Sequence, residues 1–232
     1  MNETIDLILE NSFLYVYGAT IFVALYSYAY YFETPLKYLP ILLTYTFLSE
    51  FLGYLIKQNP DFNPVVSGFY SSYNFVIYNI YSTIFMLYFY YIYWSLVKNI
   101  RYKKIIFILS YSYVIVAIAN IFIQDYYLQY QLYAAIYGSI VLSFCIILYL
   151  LKQPKILRNK FAKESLLFWI SLGLLVFTLG IIPIITYYTY SNLENMTLYY
   201  TIRRLHLILV NVMYGFFIYG FILMRSKLKT KQ

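Results

Sequence analysis

The sequence predicts an all-α fold, a polytopic membrane bundle of seven transmembrane helices with the N-terminus outside and the C-terminus cytoplasmic. Three observations carry this expectation. Of 232 residues, 62% are hydrophobic and only 11% charged, whereas a soluble domain carries about 25% charged residues. The apolar residues gather in seven runs, at about 13–32, 38–57, 69–97, 105–124, 132–151, 165–186 and 205–224, each near or above the roughly 20 residues that cross a hydrocarbon core. Finally, basic residues alternate in the segments between the runs. Fourteen fall on one side: Lys37; Lys98, Arg101, Lys103 and Lys104; Lys152, Lys155, Arg158, Lys160 and Lys163; Arg225, Lys227, Lys229 and Lys231. Only Lys57, Arg203 and Arg204 fall on the other. Positive residues are retained on the cytoplasmic face, and this fixes the orientation.

The first run follows Glu3, Asp6 and Glu10 with no basic residue before it. A cleavable signal needs a basic leader, so the run is expected to stay as a helix. Pro35 joins the first two helices, and 59–64, with Pro60 and Pro64, forms a turn-rich outer link to the third. The third run carries Tyr70, Tyr73, Tyr78, Tyr81, Tyr88, Tyr90, Tyr91 and Tyr93 along its length. Such a stripe reads either as an aromatic cage or as compositional bias with hydroxyls bonded to neighbouring helices, and the second reading is preferred. Residues 125–131 form the next outer link. In the fifth run Ala134 and Gly138, and Ala135 and Ser139, give two small-xxx-small pairs suited to close helix approach. In the sixth, Gly173 and Gly180 share a face with Trp169, and Pro183 is expected to bend the helix. Residues 191–204 form the longest outer connection, expected to hold a short surface helix. Short links make sequential helices neighbours by default. Seven spans use most of the chain, so residues 1–232 read as a single transmembrane domain without room for an attached kinase, cyclase or ATPase.

Polar side chains inside a membrane are costly, so their positions are the sharpest functional signal. With this orientation Glu50, Asn74, Asn79, Asn120, Arg204 and Asn211 all fall in the outer halves of their helices, as do Gln124 and His206. The inner halves are mostly aliphatic, aromatic and hydroxyl residues. A shared depth band predicts a polar ligand-binding pocket that opens outward. Helical phase refines it: Thr46, Glu50, Gly53, Tyr54 and Lys57 form one stripe, Tyr113, Asn120 and Gln124 another, and Arg204, Asn211 and Gly215 a third. A charged Glu50 facing lipid would cost on the order of 2.5–3.5 kcal/mol or more. Glu50 should therefore face the bundle, paired with a cation, for which Arg204 and Lys57 are at the right depth, or neutral and hydrogen-bonded to Asn74 or Asn79. A ligand anchor and a purely structural buried group remain equal alternatives.

Several chemistries are excluded. One histidine, His206, cannot supply two haem ligands, and the last run has no lysine for retinal. Cys145 and His206 lie at opposite depths and cannot form a thiol–imidazole pair. No phosphate-cradling, serine-elbow or metalloprotease motif occurs. No cofactor, metal or catalytic residue is expected. The net charge of +8 is explained by loops facing anionic lipid headgroups and not by nucleic acid.

Glu50 with Gly53, Asn74 with Asn79, and Phe168-Trp169 with Gly173 carry a resemblance covering nearly the whole chain. The chain resembles the small uncharacterised seven-helix integral membrane proteins of AT-rich bacteria, and in layout it is similar to the seven-helix sensing regions of membrane histidine kinases. It departs from the kinases in having no transmitter domain. The resemblance implies a bacterial inner-membrane sensing module whose signal leaves through a cytoplasmic or membrane partner. The expected function is thus non-enzymatic: sensing or binding a small or lipidic ligand, or serving as a subunit of a membrane assembly. A small-solute transporter is the first alternative and an intramembrane lipid-modifying enzyme the second.

Overall fold

The computed structural model describes residues 3–59, 74–152, 166–190 and 196–229. Among these there is no strand, and seven α-helices follow one another: α1 Glu3–Tyr26, α2 Leu39–Gln58, α3 Phe75–Leu96, α4 Ile100–Ile121, α5 Leu132–Lys152, α6 Leu166–Tyr190 and α7 Met196–Lys229. Six of them, α2 to α7, are long and apolar enough to cross a membrane, and the described part of α1 adds a shorter apolar stretch, Leu14–Tyr26. The chain is an all-helical, multi-pass membrane protein. The prolines at 60 and 64, Tyr70 and Tyr73, and the basic residues Lys155, Arg158, Lys160 and Lys163 lie outside the described residues.

Three element boundaries differ from the expectation. α1 stops at Tyr26, and Tyr28–Tyr30 form a 3-10 turn where the span was expected to continue to 32. The stop has a chemical cause. The Tyr31 hydroxyl turns back and donates to the Ala24 carbonyl at 2.8 Å, which also accepts the Ser27 N–H at 3.2 Å, so the chain folds back on the helix end. Burial holds this phenol above its ordinary pKa, so it stays a donor. α3 begins at Phe75, with Asn74 as the residue before its first turn and not inside the helix. α7 begins at Met196, so the stretch expected as a separate surface helix is instead the start of the last span. No glycine or proline separates Met196 from Leu205, and the helix therefore runs on past the hydrophobic edge. Its 34 residues reach about 51 Å at 1.5 Å per residue. That exceeds the roughly 30 Å hydrocarbon core, so both ends project.

The structure divides into two compact units, Met1–Pro40 with Ser143–Gln232, and Ile41–Leu142. In the first, α7 packs against both α6 and α1. Sequential packing therefore holds for α6 and α7, whereas α1 takes the last helix as its partner. The pairing follows matched side chains: Tyr17 meets Tyr214 edge-on at 4.6 Å, Tyr31 packs on Phe221 at 5.5 Å, and the Arg225 guanidinium lies 3.5 Å over the Tyr26 ring. Cation–π contacts of this kind suit an interface where one end of the pair is wet. Trp169 on α6 stacks on Phe216 and meets Tyr219 edge-on, while Gly173 faces the Met213 carbonyl and Phe216 of α7. Small residues and Trp169 do share the face turned to a neighbour, as their spacing indicated. α6 continues through Pro183 to Tyr190, and the Thr186 hydroxyl bonds to the Ile182 carbonyl at 2.8 Å.

In the second unit α3 packs on α4. The Tyr90 hydroxyl donates to the Gly138 carbonyl of α5 at 2.9 Å, and the bare Cα of Gly138 admits the Tyr113 ring edge. A hydroxyl from the tyrosine stripe thus finds its acceptor on a neighbouring helix. α4 buries only Ile106, Tyr113 and Asn120, and most of its apolar surface is exposed among the described residues.

The α6–α7 contact yields a graded test. A methyl at Gly173 would come within 2.8 Å of a backbone oxygen, whereas at Gly180 it meets the mobile end of Leu209 at 2.7 Å. Gly173→Ala is expected to cost about 1–3 kcal/mol and Gly180→Ala well under that, read as the loss in thermal unfolding temperature of the detergent-solubilised protein.

Candidate functional site at the outer end of α2 to α5

The site grows from a seam between α2 and α3. Thr46, Glu50 and Gly53 lie at spacings of four and three on α2, while Tyr81, Tyr78 and Asn74 repeat those spacings in reverse along α3 and its leading residue. Each triplet spans seven residues, about two turns, so antiparallel neighbours can meet along the whole seam. The Thr46 hydroxyl approaches the Tyr81 hydroxyl at 3.4 Å while donating to the Leu42 carbonyl at 2.9 Å. The Tyr78 hydroxyl donates to Glu50 Oε2 at 3.2 Å. Gly53 has no side chain because Tyr78 Oη fills the space a Cβ would occupy, and the Asn74 amide nitrogen lies 3.3 Å from that position. The expected stripe is therefore real at Thr46, Glu50 and Gly53. Tyr54 instead points outward, 46% exposed, and the Lys57 side chain lies outside the described residues.

Glu50 is half-buried, about 12 Å from the end of α2 at 1.5 Å per residue. One of its oxygens takes the phenol. Asn74 caps none of the first-turn N–H groups of α3 with its side chain, and the same amide stands beside Gly53. Carboxyl, phenol and amide are thus gathered at one end of two helices. Tyr78 is the member that polarity alone did not single out. The signal was present in the equal seven-residue span of polar and small residues on the two segments.

A second network occupies the next face of α3. Asn79, 3% exposed, donates through Nδ2 to the Tyr126 and Gln129 carbonyls, each at 3.0 Å, and accepts the Gln131 N–H through Oδ1 at 3.1 Å. Asn120 donates to the side-chain oxygens of Gln124 and Gln131. Gln131 in turn donates to the Gln124 carbonyl at 3.2 Å, and the Leu132 N–H reaches the Gln124 side-chain oxygen at 2.9 Å. Asp125 ties the tip by accepting the Tyr127 and Leu128 N–H groups. Asn79 and Asn120 thus share the level of Glu50 within this unit, but they serve the link between α4 and α5. Their amides are committed to the chain's own groups. Within this network, Asn120 Oδ1 is buried without a hydrogen-bond partner among the described residues. Tyr113, Asn120 and Gln124 are all buried together, as their helical phase indicated.

Arg204 and Asn211 belong to the other unit. Arg204 is half-buried in α7, about a quarter of the way along a helix expected to start after it. The distance from Arg204 to Arg225 along α7 is about 32 Å at 1.5 Å per residue, close to one hydrocarbon thickness. Asn211 donates to the Ser12 hydroxyl of α1 at 2.9 Å. Gly215, on the same phase, meets nothing within 4 Å of a would-be Cβ, so that face opens one turn further along. His206 lies beside Tyr188 with ring centroids 6.5 Å apart. Among the described side chains of its own unit, the partner found for Glu50 is Tyr78.

Among the described residues no group of three or more His, Cys, Asp or Glu side chains comes together to hold a metal ion. No family model, curated protein or solved structure matches the chain. The chemistry of the site is consequently read from its own atoms: an acceptor carboxyl oxygen beside a phenol and an amide, which suits a ligand carrying an ammonium or other hydrogen-bond donor.

The second network makes a specific demand on Asn79. Asn79→Asp keeps the Oδ1 acceptor and removes both donors, stranding two carbonyls near a new charge. A loss of about 2 kcal/mol or more is expected, measured by thermal unfolding. Asn79→Asp as stable as the parent would mean that the link is held by other contacts.

Proposed function

We propose that this chain is a non-enzymatic membrane sensing or binding module that takes up a small or amphiphilic ligand at the outer end of α2 and α3. One observation supports this reading above the others. Glu50, the one acidic side chain of α2, is held by a Tyr78 hydroxyl that fills the space beside Gly53, with the Asn74 amide next to that space. A carboxyl in hydrocarbon costs several kcal/mol unless it is paired or hydrogen-bonded. One phenol bond meets only part of that need, and an incoming ammonium group would meet the rest. The apolar walls of neighbouring helices would accept a short alkyl tail.

In this reading the protein sits in a bacterial inner membrane, and its layout is similar to the sensing regions of membrane histidine kinases. Ligand binding between α2 and α3 would alter how those helices pair. The change would reach an output partner through the basic cytoplasmic loops.

Octylamine and octanol provide the test, because they share a tail and differ in the ammonium group. In mild detergent, octylamine at ten times its Kd is expected to raise the unfolding temperature by about 3–6 °C, with octanol giving little. Glu50→Gln is expected to abolish the octylamine shift while keeping its helical circular dichroism. Equal shifts from both compounds, or an undiminished shift in Glu50→Gln, would overturn the reading.

A further inference from the structure

We infer that the α3–α4 turn forms a specific seat for an anionic phospholipid of the cytoplasmic leaflet, separate from the Glu50 site and independent of its function. The seat begins with a tight connection. α3 ends at Leu96, α4 starts at Ile100, and the Asn99 side chain accepts the Arg101 N–H at 2.9 Å. The turn lays the last turn of α3 against the first two turns of α4. Between them is a cavity of about 340 Å³ lined by Trp94, Ile100, Lys103, Lys104, Phe107 and Ile108.

The lining changes character along α4. Lys103 and Lys104 stand at its mouth, and the Lys103 ammonium lies 4.1 Å over the Trp94 ring. One turn deeper, Phe107 and Ile108 are 60% and 62% exposed. Lys98 and Arg101 flank the mouth in sequence, and no acidic residue occurs from Trp94 to Ile108. Nothing on this stretch of chain neutralises the four cations. In the orientation fixed by the basic residues, they stand at the level of the inner-leaflet headgroups, where anionic lipid is enriched.

A lipid matches this arrangement from end to end. Its phosphate oxygens can take the Lys103 and Lys104 ammonium groups, its glycerol region can cover the Trp94 indole, and an acyl chain can run along Phe107 and Ile108. Tryptophan at the headgroup level is favourable for the same reason, an apolar body with a polar edge. A soluble anion would satisfy the lysines but leave the apolar wall uncovered.

The protein's own fluorescence reads the seat. The chain has two tryptophans, Trp94 and Trp169, so Trp169→Phe leaves the reporter in the groove. Reconstituted in vesicles of brominated phosphatidylglycerol diluted into unbrominated phosphatidylcholine, Trp94 is expected to be quenched at far lower bromolipid content than with brominated phosphatidylcholine. Two lysines at the headgroup level correspond to a preference of roughly 30-fold. Lys103→Gln with Lys104→Gln is expected to reduce it to a few-fold. Equal quenching by the two brominated lipids, or a preference that survives the double substitution, would overturn the inference. So would a preference erased by millimolar inorganic phosphate at constant ionic strength, since a free anion would then be the ligand. If Trp169→Phe fails to fold, the same comparison is made on the unmodified chain as the rise in unfolding temperature with phosphatidylglycerol over phosphatidylcholine. There, an equal rise in the parent and the double lysine variant overturns the seat.

Discussion

A polar group carried into hydrocarbon must find its partner within the protein, because no water is there to supply one. The α2–α3 seam is organised by that constraint. Glu50 needs a donor, Tyr78 supplies it, and Gly53 is bare because the phenol needs the room. Thr46 and Tyr81 repeat the arrangement one rung away. The pairing of the two helices is thereby set in register by hydrogen bonds as well as by packing. Apolar surfaces that slide freely against lipid could not fix it alone. Elsewhere the same requirement produces single ties, such as the Ser143 and Thr178 hydroxyls at 2.8 Å or Asn211 with Ser12.

The two ends of the helices are specialised differently. At the α4–α5 link, amides bond to amides and carbonyls, so that Asn79, Asn120, Gln124 and Gln131 turn a short connection into a fixed structure. On the basic side, cations lie over rings: Lys37 beside Tyr38, Lys103 over Trp94 and Arg225 over Tyr26. A cation over an aromatic face keeps its charge hydrated while its stem covers apolar surface. That is the chemistry of a headgroup region.

Much of the fold was legible in the sequence, in ways that trace to particular residues. Runs of apolar residues located all seven helices, and phase picked out Thr46, Glu50 and Gly53 as one face, Tyr113 with Asn120 as another, and Gly173 with Trp169 as a third. Boundaries were less legible. α1 ends where Tyr31 reaches back to Ala24, and α7 starts at Met196 because nothing there stops a helix. Hydropathy marks where lipid begins, and helix ends are set by capping and by breakers.

Lateral identity of partners was not legible at all. That an Asn lies in the outer half of a helix does not say whether it meets a ligand or a carbonyl. Asn79 meets carbonyls, whereas Asn74 stands beside Gly53. By itself the sequence determined the helices and the faces on which their polar and small residues fall, because periodicity acts locally along the chain. The tertiary structure decided that Tyr78 answers Glu50 and that α7 answers α1. Those choices depend on the rotation of one helix against another, which many residues settle jointly and no local pattern records.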